Sequence, residues 1–236
     1  MDDCIVAIIS ARRPDSVAKL ARWTDGLSTR WYVGEGDATA YAAAGAGVAG
    51  EYSLVAARNA ALDDADGWCI QLDDDLMKLG LAAYPGCKAA EVSDLPLAEA
   101  IERMIRAATE WGAQLAGVAP TANPYFARRE VTTTGFCVGD LLAIAPGCPL
   151  RFDPAIELKE DYDYTLQHLA AYSTVARCDT ILATFQHRTN PGGAVTYRTP
   201  EKEQAAIAYL SEKWPGSIRP NAKRQDEILM RWPPVL

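Results

Sequence analysis

Long apolar runs are missing from this 236-residue sequence. Its Ala-rich stretch 38–50 is broken by Thr39, Tyr41, Gly45, Gly47 and Gly50, whereas a membrane span needs about 20 apolar residues. No membrane partner is therefore expected. Histidine is scarce, at two residues, and no HxxxH or HExxH pairing occurs. The six cysteines, at 4, 69, 87, 137, 148 and 178, form no CxxC pair. No disulfide framework is indicated, and reduced thiols in a cytoplasmic compartment are the expectation. The first residues carry acids at Asp2 and Asp3 and only a short apolar stretch, Ile5 to Ile9, which lacks the basic opening and the length of a signal peptide. Positive charge is in deficit, since 23 Lys and Arg against 31 Asp and Glu leave a net charge of -8. That excludes a protein gripping nucleic acid with a broad basic face and leaves room for a local patch.

What is present describes a globular α/β domain. With 49% hydrophobic and 23% charged residues, a chain of this length buries a sizeable core. The run Cys4 to Ile9 reads as a buried strand and is followed by an amphipathic helix from Val17 to Trp23. Trp31 to Val33 is a second strand, closed by Gly34-Glu35-Gly36, and residues 38–50 carry a weak helix ending in a Gly-rich turn. A helix over Leu54 to Leu62 with Ser53 as its cap precedes a strand from Trp68 to Leu72. The spacing of Leu97, Ile101, Met104, Ile105, Ala108 and Trp111 predicts a helix with one core-facing side. Two short strands are expected over Val131 to Val138 and Leu141 to Ile144, then a helix from Tyr162 to Tyr172 and a strand from Thr180 to Phe185. A last helix starts at Thr199-Pro200, and a C-terminal extension packs on the domain or forms a flap.

The chemistry concentrates after the fourth apolar run. Three consecutive carboxylates, Asp73-Asp74-Asp75, follow Leu72. Asp73 and Asp75 lie two apart and can point the same way from a strand end, where they suit Mg²⁺ or Mn²⁺ carrying a diphosphate. A solvated acidic loop is the plain alternative. Arg58-Asn59 on the preceding helix can reach both the acids and a nucleotide. After the first strand, Ser10, Arg12 and Arg13 offer a hydroxyl and two guanidinium groups beside a helix N-terminus, a phosphate-binding combination that a simple cap with two surface arginines also explains. Neither place carries a GxxxxGK[ST] loop or a GxGxxG turn.

A second acidic cluster, Glu157 to Asp163, opens the Tyr162 helix, where acids also suit the helix dipole. Asp161 is assigned as general base, with Glu160 supporting the pocket or exchanging roles with it, and Asp163 is expected to face another surface. His168, inside a helix, reads as structural. His187 follows a strand and opens a Gly-rich loop, so it is a candidate third metal ligand beside Asp73 and Asp75. Arg188 belongs to a basic stretch, 187–224, that either closes over the donor and contacts its phosphates or is a solvated helix of mixed charge. Residues Thr132 to Phe136 are candidates to line the acceptor side.

The order Ser10-x-Arg12-Arg13-Pro14, Val33-Gly34-Glu35, Ala57-Arg58-Asn59, Leu72-Asp73-Asp74-Asp75, Lys159-Glu160-Asp161-Tyr162 and His187 resembles the GT-A nucleotide-sugar transferases. It is most similar to the TET-associated glycosyltransferases of bacteriophages and related bacterial elements, over roughly residues 4 to 200. The resemblance implies an α/β, GT-A-like nucleotide-diphospho-sugar transferase fold, with a central, mixed, mostly parallel sheet flanked by helices. It implies one domain over 1–236, with a donor nucleotide half at about 1–95, an acceptor and catalytic half at 96–200 and a C-terminal helix and extension at 201–236. Ser10, Arg12, Arg13 and Glu35 would then serve the nucleotide. Arg58 and Asp73 would serve the donor sugar and diphosphate, Asp75 and His187 the metal, and Asp161 catalysis. The family motif is DxD, so the third acid leaves open whether Asp74 touches the donor ribose or faces solvent. The implied cofactors are Mn²⁺ or Mg²⁺ and a nucleotide-sugar, expected to be a UDP-sugar. The implied acceptor is 5-hydroxymethylcytosine in DNA, made by a TET-like 5-methylcytosine oxygenase in a phage-infected or prophage-carrying host cytoplasm. A small metabolite, a peptide or a glycan is the alternative acceptor. A metal-dependent nucleotidyltransferase or a silent binding module is the alternative class.

Overall fold

The computed structural model describes residues 4–186, 198–222 and 227–234. Strands β1 (Cys4–Ser10), β2 (Thr29–Val33), β3 (Val48–Glu51) and β4 (Trp68–Asp73) alternate with helices α1 (Ser16–Thr24), α2 (Ala38–Ala43) and α3 (Leu54–Asp63). After them come β5 (Leu76–Ala82), β6 (Val92–Asp94), α4 (Leu97–Glu110), β7 (Leu115–Val118), β8 (Val131–Thr132) and β9 (Val138–Ile144). The chain continues through α5 (Glu160–Tyr172), β10 (Ala176–Cys178), β11 (Ile181–Phe185), α6 (Pro200–Lys213) and a hairpin of β12 (Ile218–Pro220) and β13 (Ile228–Met230).

The main sheet runs β3-β2-β1-β4-β9-β7-β10-β8. Strands β1 to β4 are mutually parallel, β9 inserts antiparallel between β4 and β7, β10 is parallel to β7, and β8 is antiparallel to β10. Six strands therefore share one direction. A smaller sheet, β11-β5-β6, stands beside it. The molecule is thus α/β, with a large mixed sheet flanked by helices.

Along β1, Val6 and Ile8 enter one buried cluster with Leu20, Ile101 and Met104, while Ala7 and Ile9 enter another with Val55, Tyr164 and Leu166. Helices cover both sheet faces, so both side-chain sets of the strand must be apolar. This is why residues 4–9 read as an unbroken run rather than an alternation.

Several expectations need correction. The Gly-rich turn before residue 51 is partly strand β3, because the parallel edge of β2 recruits Val48 to Glu51. Gly45-Ala-Gly-Val-Ala-Gly50 has GxGxxG spacing but leads from a helix into a strand, the reverse of a dinucleotide-binding turn. Trp111 caps the end of α4 and is 53% exposed instead of joining the core face. Residues 133–137 are not strand, and Gly139 lies within β9. Helix α5 begins at Glu160, two residues earlier than Tyr162, which places both Glu160 and Asp161 in its first turn.

Candidate functional site

Asp73 ends β4 and Ser10 ends the adjacent parallel β1. Carboxyl ends of parallel strands are where open α/β sheets bind ligands. Here they floor a cleft of about 680 Å³ whose lining includes Ser10, Arg12, Arg13, Glu35, Arg58, Asp73, Asp74, Asp75, Glu160 and Asp161. Every described candidate for the donor, metal and catalytic roles thus reaches one cavity. His187 and Arg188 lie outside the described residues.

The three consecutive acids separate in role. Asp74 is buried, with one oxygen on the Ser10 hydroxyl and the other 2.6 Å from the Arg13 guanidinium. It does not face solvent but pins the β1–α1 turn. Ser10 also meets the Tyr41 hydroxyl, which accepts the Arg13 backbone N–H at 2.9 Å. Arg12 takes a left-handed backbone, φ 59°, and donates its N–H to Asp37. Asp75 stands 3.5 Å from Arg13. Burial raises the Asp74 carboxyl, opposed by Arg13 and Ser10.

Arg58 is 2% exposed and holds the two acidic clusters together. It donates to Glu160 at 3.0 Å and to Asp73, Gln71 and the Gly139 carbonyl at 3.2 Å each. Against the cost of burial, Asp73, Glu160 and Asp161 hold its guanidinium above the usual value. Such a charge is tolerated because every side of it is paired. The fork also explains why an arginine stands there, since lysine has no planar donor set to serve several acceptors.

Asp161 accepts the Gly139 N–H at 3.0 Å and the Tyr162 N–H at 2.9 Å. Burial, then Glu160 and Asp140, raises its carboxyl from 3.8 to about 7, opposed by Gly139 and Arg58. Asp73 is raised well above its usual range by burial, with Asp140, Asp75 and Glu160 adding to it and Arg58 opposing. Asp163 does turn away, accepting from Trp214 at 2.7 Å and pairing with Lys213 at 2.8 Å.

Asp140 was not singled out by sequence reasoning, although it lines the cleft, is 9% exposed, and adds to the charge felt by Asp73 and Asp161. A lone acid inside the apolar run of β9 was its available signal. Gln71 was a similar one, buried in β4 and bonded to Arg58. Residues 132–136, expected on the acceptor side, do not line this cleft: Thr132 bonds Asp179, and Phe136 stacks on the lining residue Tyr162 at 3.8 Å. Of the basic stretch, Arg198 and Lys202 reach the cleft rim, paired to Glu203 and Glu157. His168 is buried against Tyr164 and is lowered to about 3 by burial, a neutral core residue.

Among the described residues, no three His, Cys, Asp or Glu side chains gather in a metal-holding group. The donor set still fits a hard divalent cation. Asp73 and Asp75 would supply carboxylate oxygens from the end of β4 and the turn that follows it. Mg²⁺-type sites commonly take one or two protein carboxylates and fill the rest with substrate phosphates and water.

Comparison of the chain with protein-family models, curated proteins and solved structures finds no match.

Proposed function

We propose that the protein is a metal-dependent, GT-A-like glycosyltransferase that moves a sugar from a nucleotide-sugar, a UDP-sugar, to the hydroxyl of 5-hydroxymethylcytosine in DNA. The observation that carries this reading is the cleft's pairing of two acidic groups: an Asp73–Asp75 turn at the end of a central strand, and Asp161, poised near neutrality, on the facing helix. A hydroxyl-to-sugar transfer needs both, one for the diphosphate and one for the proton.

Asp73 and Asp75 would hold Mn²⁺ or Mg²⁺, which when bound neutralises the diphosphate leaving group. Arg13, fixed by Asp74, stands beside the same turn. Asp161 accepts the acceptor hydroxyl's proton, the freed oxygen bonds to the anomeric carbon, and the bond to the diphosphate breaks to release UDP. Direct displacement of this kind inverts the anomeric centre. Glu160 is engaged by Arg58, which favours Asp161 as the base and Glu160 as its support.

A donor panel with Mn²⁺ and either hydroxymethylated or plain DNA tests the reading. UDP release that depends on the hydroxymethyl group supports it. Pyrophosphate release from a nucleoside triphosphate would assign the site to a nucleotidyltransferase instead.

A further inference from the structure

We propose that the loop joining β7 to β8 is a platform on which a polynucleotide strand docks beside the cleft. The proposal rests on the reading of the cleft as a transferase acting on DNA and adds the surface that holds the acceptor. The net charge of -8 excludes a broad basic face, so an acceptor polyanion needs a local one.

The loop begins where the cleft does. Val118, the last residue of β7, pairs with Val138 of β9, whose next residues Gly139 and Asp140 line the cleft. The loop returns at Val131, opposite Cys178 at the end of β10. It therefore spans the outer part of the sheet edge that carries Asp73. Strands β4 and β7 are separated only by β9, which at ~4.8 Å per strand places them about 10 Å apart. From there the loop runs outward over the small sheet, where Ala122 packs against Ala82, Cys87 and Leu182.

A local hydrogen bond and a short turn shape the loop. The Asn123 carboxamide oxygen accepts the Tyr125 N–H at 3.1 Å, and a short 3-10 turn follows over Pro124–Phe126. Pro124 and Ala127 point inward and are buried, while Tyr125 and Phe126 are 62% and 58% exposed. Their rings meet edge-on at 5.5 Å, and the Arg128 guanidinium lies 5.6 Å over the Tyr125 ring. Arg129 is also exposed, and Glu130 is the one acid adjoining the pair. A single exposed aromatic is ordinary, but two adjacent ones held outward on an anchored turn and flanked by arginines offer a stacking face with phosphate contacts. A neutral glycan would use the rings and leave the arginines without purpose.

Anisotropy titration of a labelled single-stranded oligonucleotide containing 5-hydroxymethylcytosine, across a salt series, tests the platform in the full chain. Y125A/F126A should weaken binding at least about tenfold with an unchanged salt slope. R128A/R129A should weaken it and reduce the slope by about 1.4, the value for two lost phosphate contacts on a single strand. Both variants should keep wild-type Mn²⁺-dependent UDP binding and melting temperature. Wild-type oligonucleotide affinity in both variants overturns the platform, and so does wild-type preference for an acidic peptide or a neutral oligosaccharide. The two readings separate cleanly: variants that bind and glycosylate DNA normally remove the platform alone. Platform-dependent binding without any sugar transfer upholds the platform and removes the transferase assignment.

Discussion

Asp161 receives the backbone N–H of Gly139 at 3.0 Å, and the carbonyl of the same Gly139 takes a hydrogen bond from Arg58 at 3.2 Å. One peptide segment of β9 thereby fixes the proposed base and the buried cation that balances it.

The first consequence is a pH profile. With its carboxyl raised to about 7 by burial and by Glu160, Asp161 is ionised, and able to take a proton, only above that value. Sugar transfer should rise through pH 7 to a plateau, and Asp161→Asn should lower kcat by about 10²–10⁴ while leaving UDP binding intact. Stability moves the other way. Between about 4 and 7 the folded protein binds the proton that the unfolded chain has lost, so this group's contribution to stability declines as pH rises through that window. Urea denaturation of the wild type and the Asn variant across pH 4 to 8 (roughly the linked range) reads this out. An identical pH dependence in both would remove the assignment.

Gly139→Ala is a sharper probe of the same contact. An added Cβ would stand 3.1 Å from both the Arg58 guanidinium and the Asp161 Cβ, closer than either tolerates without moving. The variant should fold, keep Mn²⁺-dependent UDP binding and lose transfer rate. A wild-type rate would show that the position of Asp161 does not matter.

Arg58→Met removes the charge that Asp73 and Glu160 share. Leaving the buried Glu160 carboxylate unpaired costs about 3–5 kcal/mol, measured as a fall in the urea midpoint. A loss under about 0.5 kcal/mol, the level of an ordinary surface change, would contradict the ion-pair geometry.

Metal dependence rests on Asp75. Asp75→Asn, or a chelator added to the wild type, should abolish UDP binding that Mn²⁺ supports in calorimetry. Normal Mn²⁺-dependent binding by the variant would free Asp75 from the role.

The candidate site was more legible than the strand inventory. Ser10, Asp73 and Asp161 follow or begin long, well-patterned elements, and polar residues at such junctions stand out from the apolar runs beside them. Strands β5, β6, β7 and β10 did not stand out. Leu76–Ala82 contains Lys78 and Gly80, and Leu115–Val118 and Ala176–Cys178 are three or four residues long, too short for a period to show. They are strands because neighbours pair with them: β11 with β5, β9 with β7, and β7 with β10. Asp140 stayed hidden for a related reason, since only the antiparallel insertion of β9 beside β4 brings it to the Asp73 end of the sheet. The partition of roles within Asp73-Asp74-Asp75 was equally out of reach. It depends on Arg13 and Arg58 arriving from two different helical connections.

Intact-mass analysis of 5-hydroxymethylcytosine DNA, incubated with UDP-sugars and Mn²⁺ and either the wild type or Asp161→Asn, tests the central claim most directly. The wild type should add one sugar mass per hydroxymethylcytosine and none to plain DNA, and the Asn variant should add essentially none. Unchanged DNA mass with every donor, despite Mn²⁺-dependent UDP binding, would contradict DNA as the acceptor. Full transfer by the Asn variant would contradict Asp161 as the base.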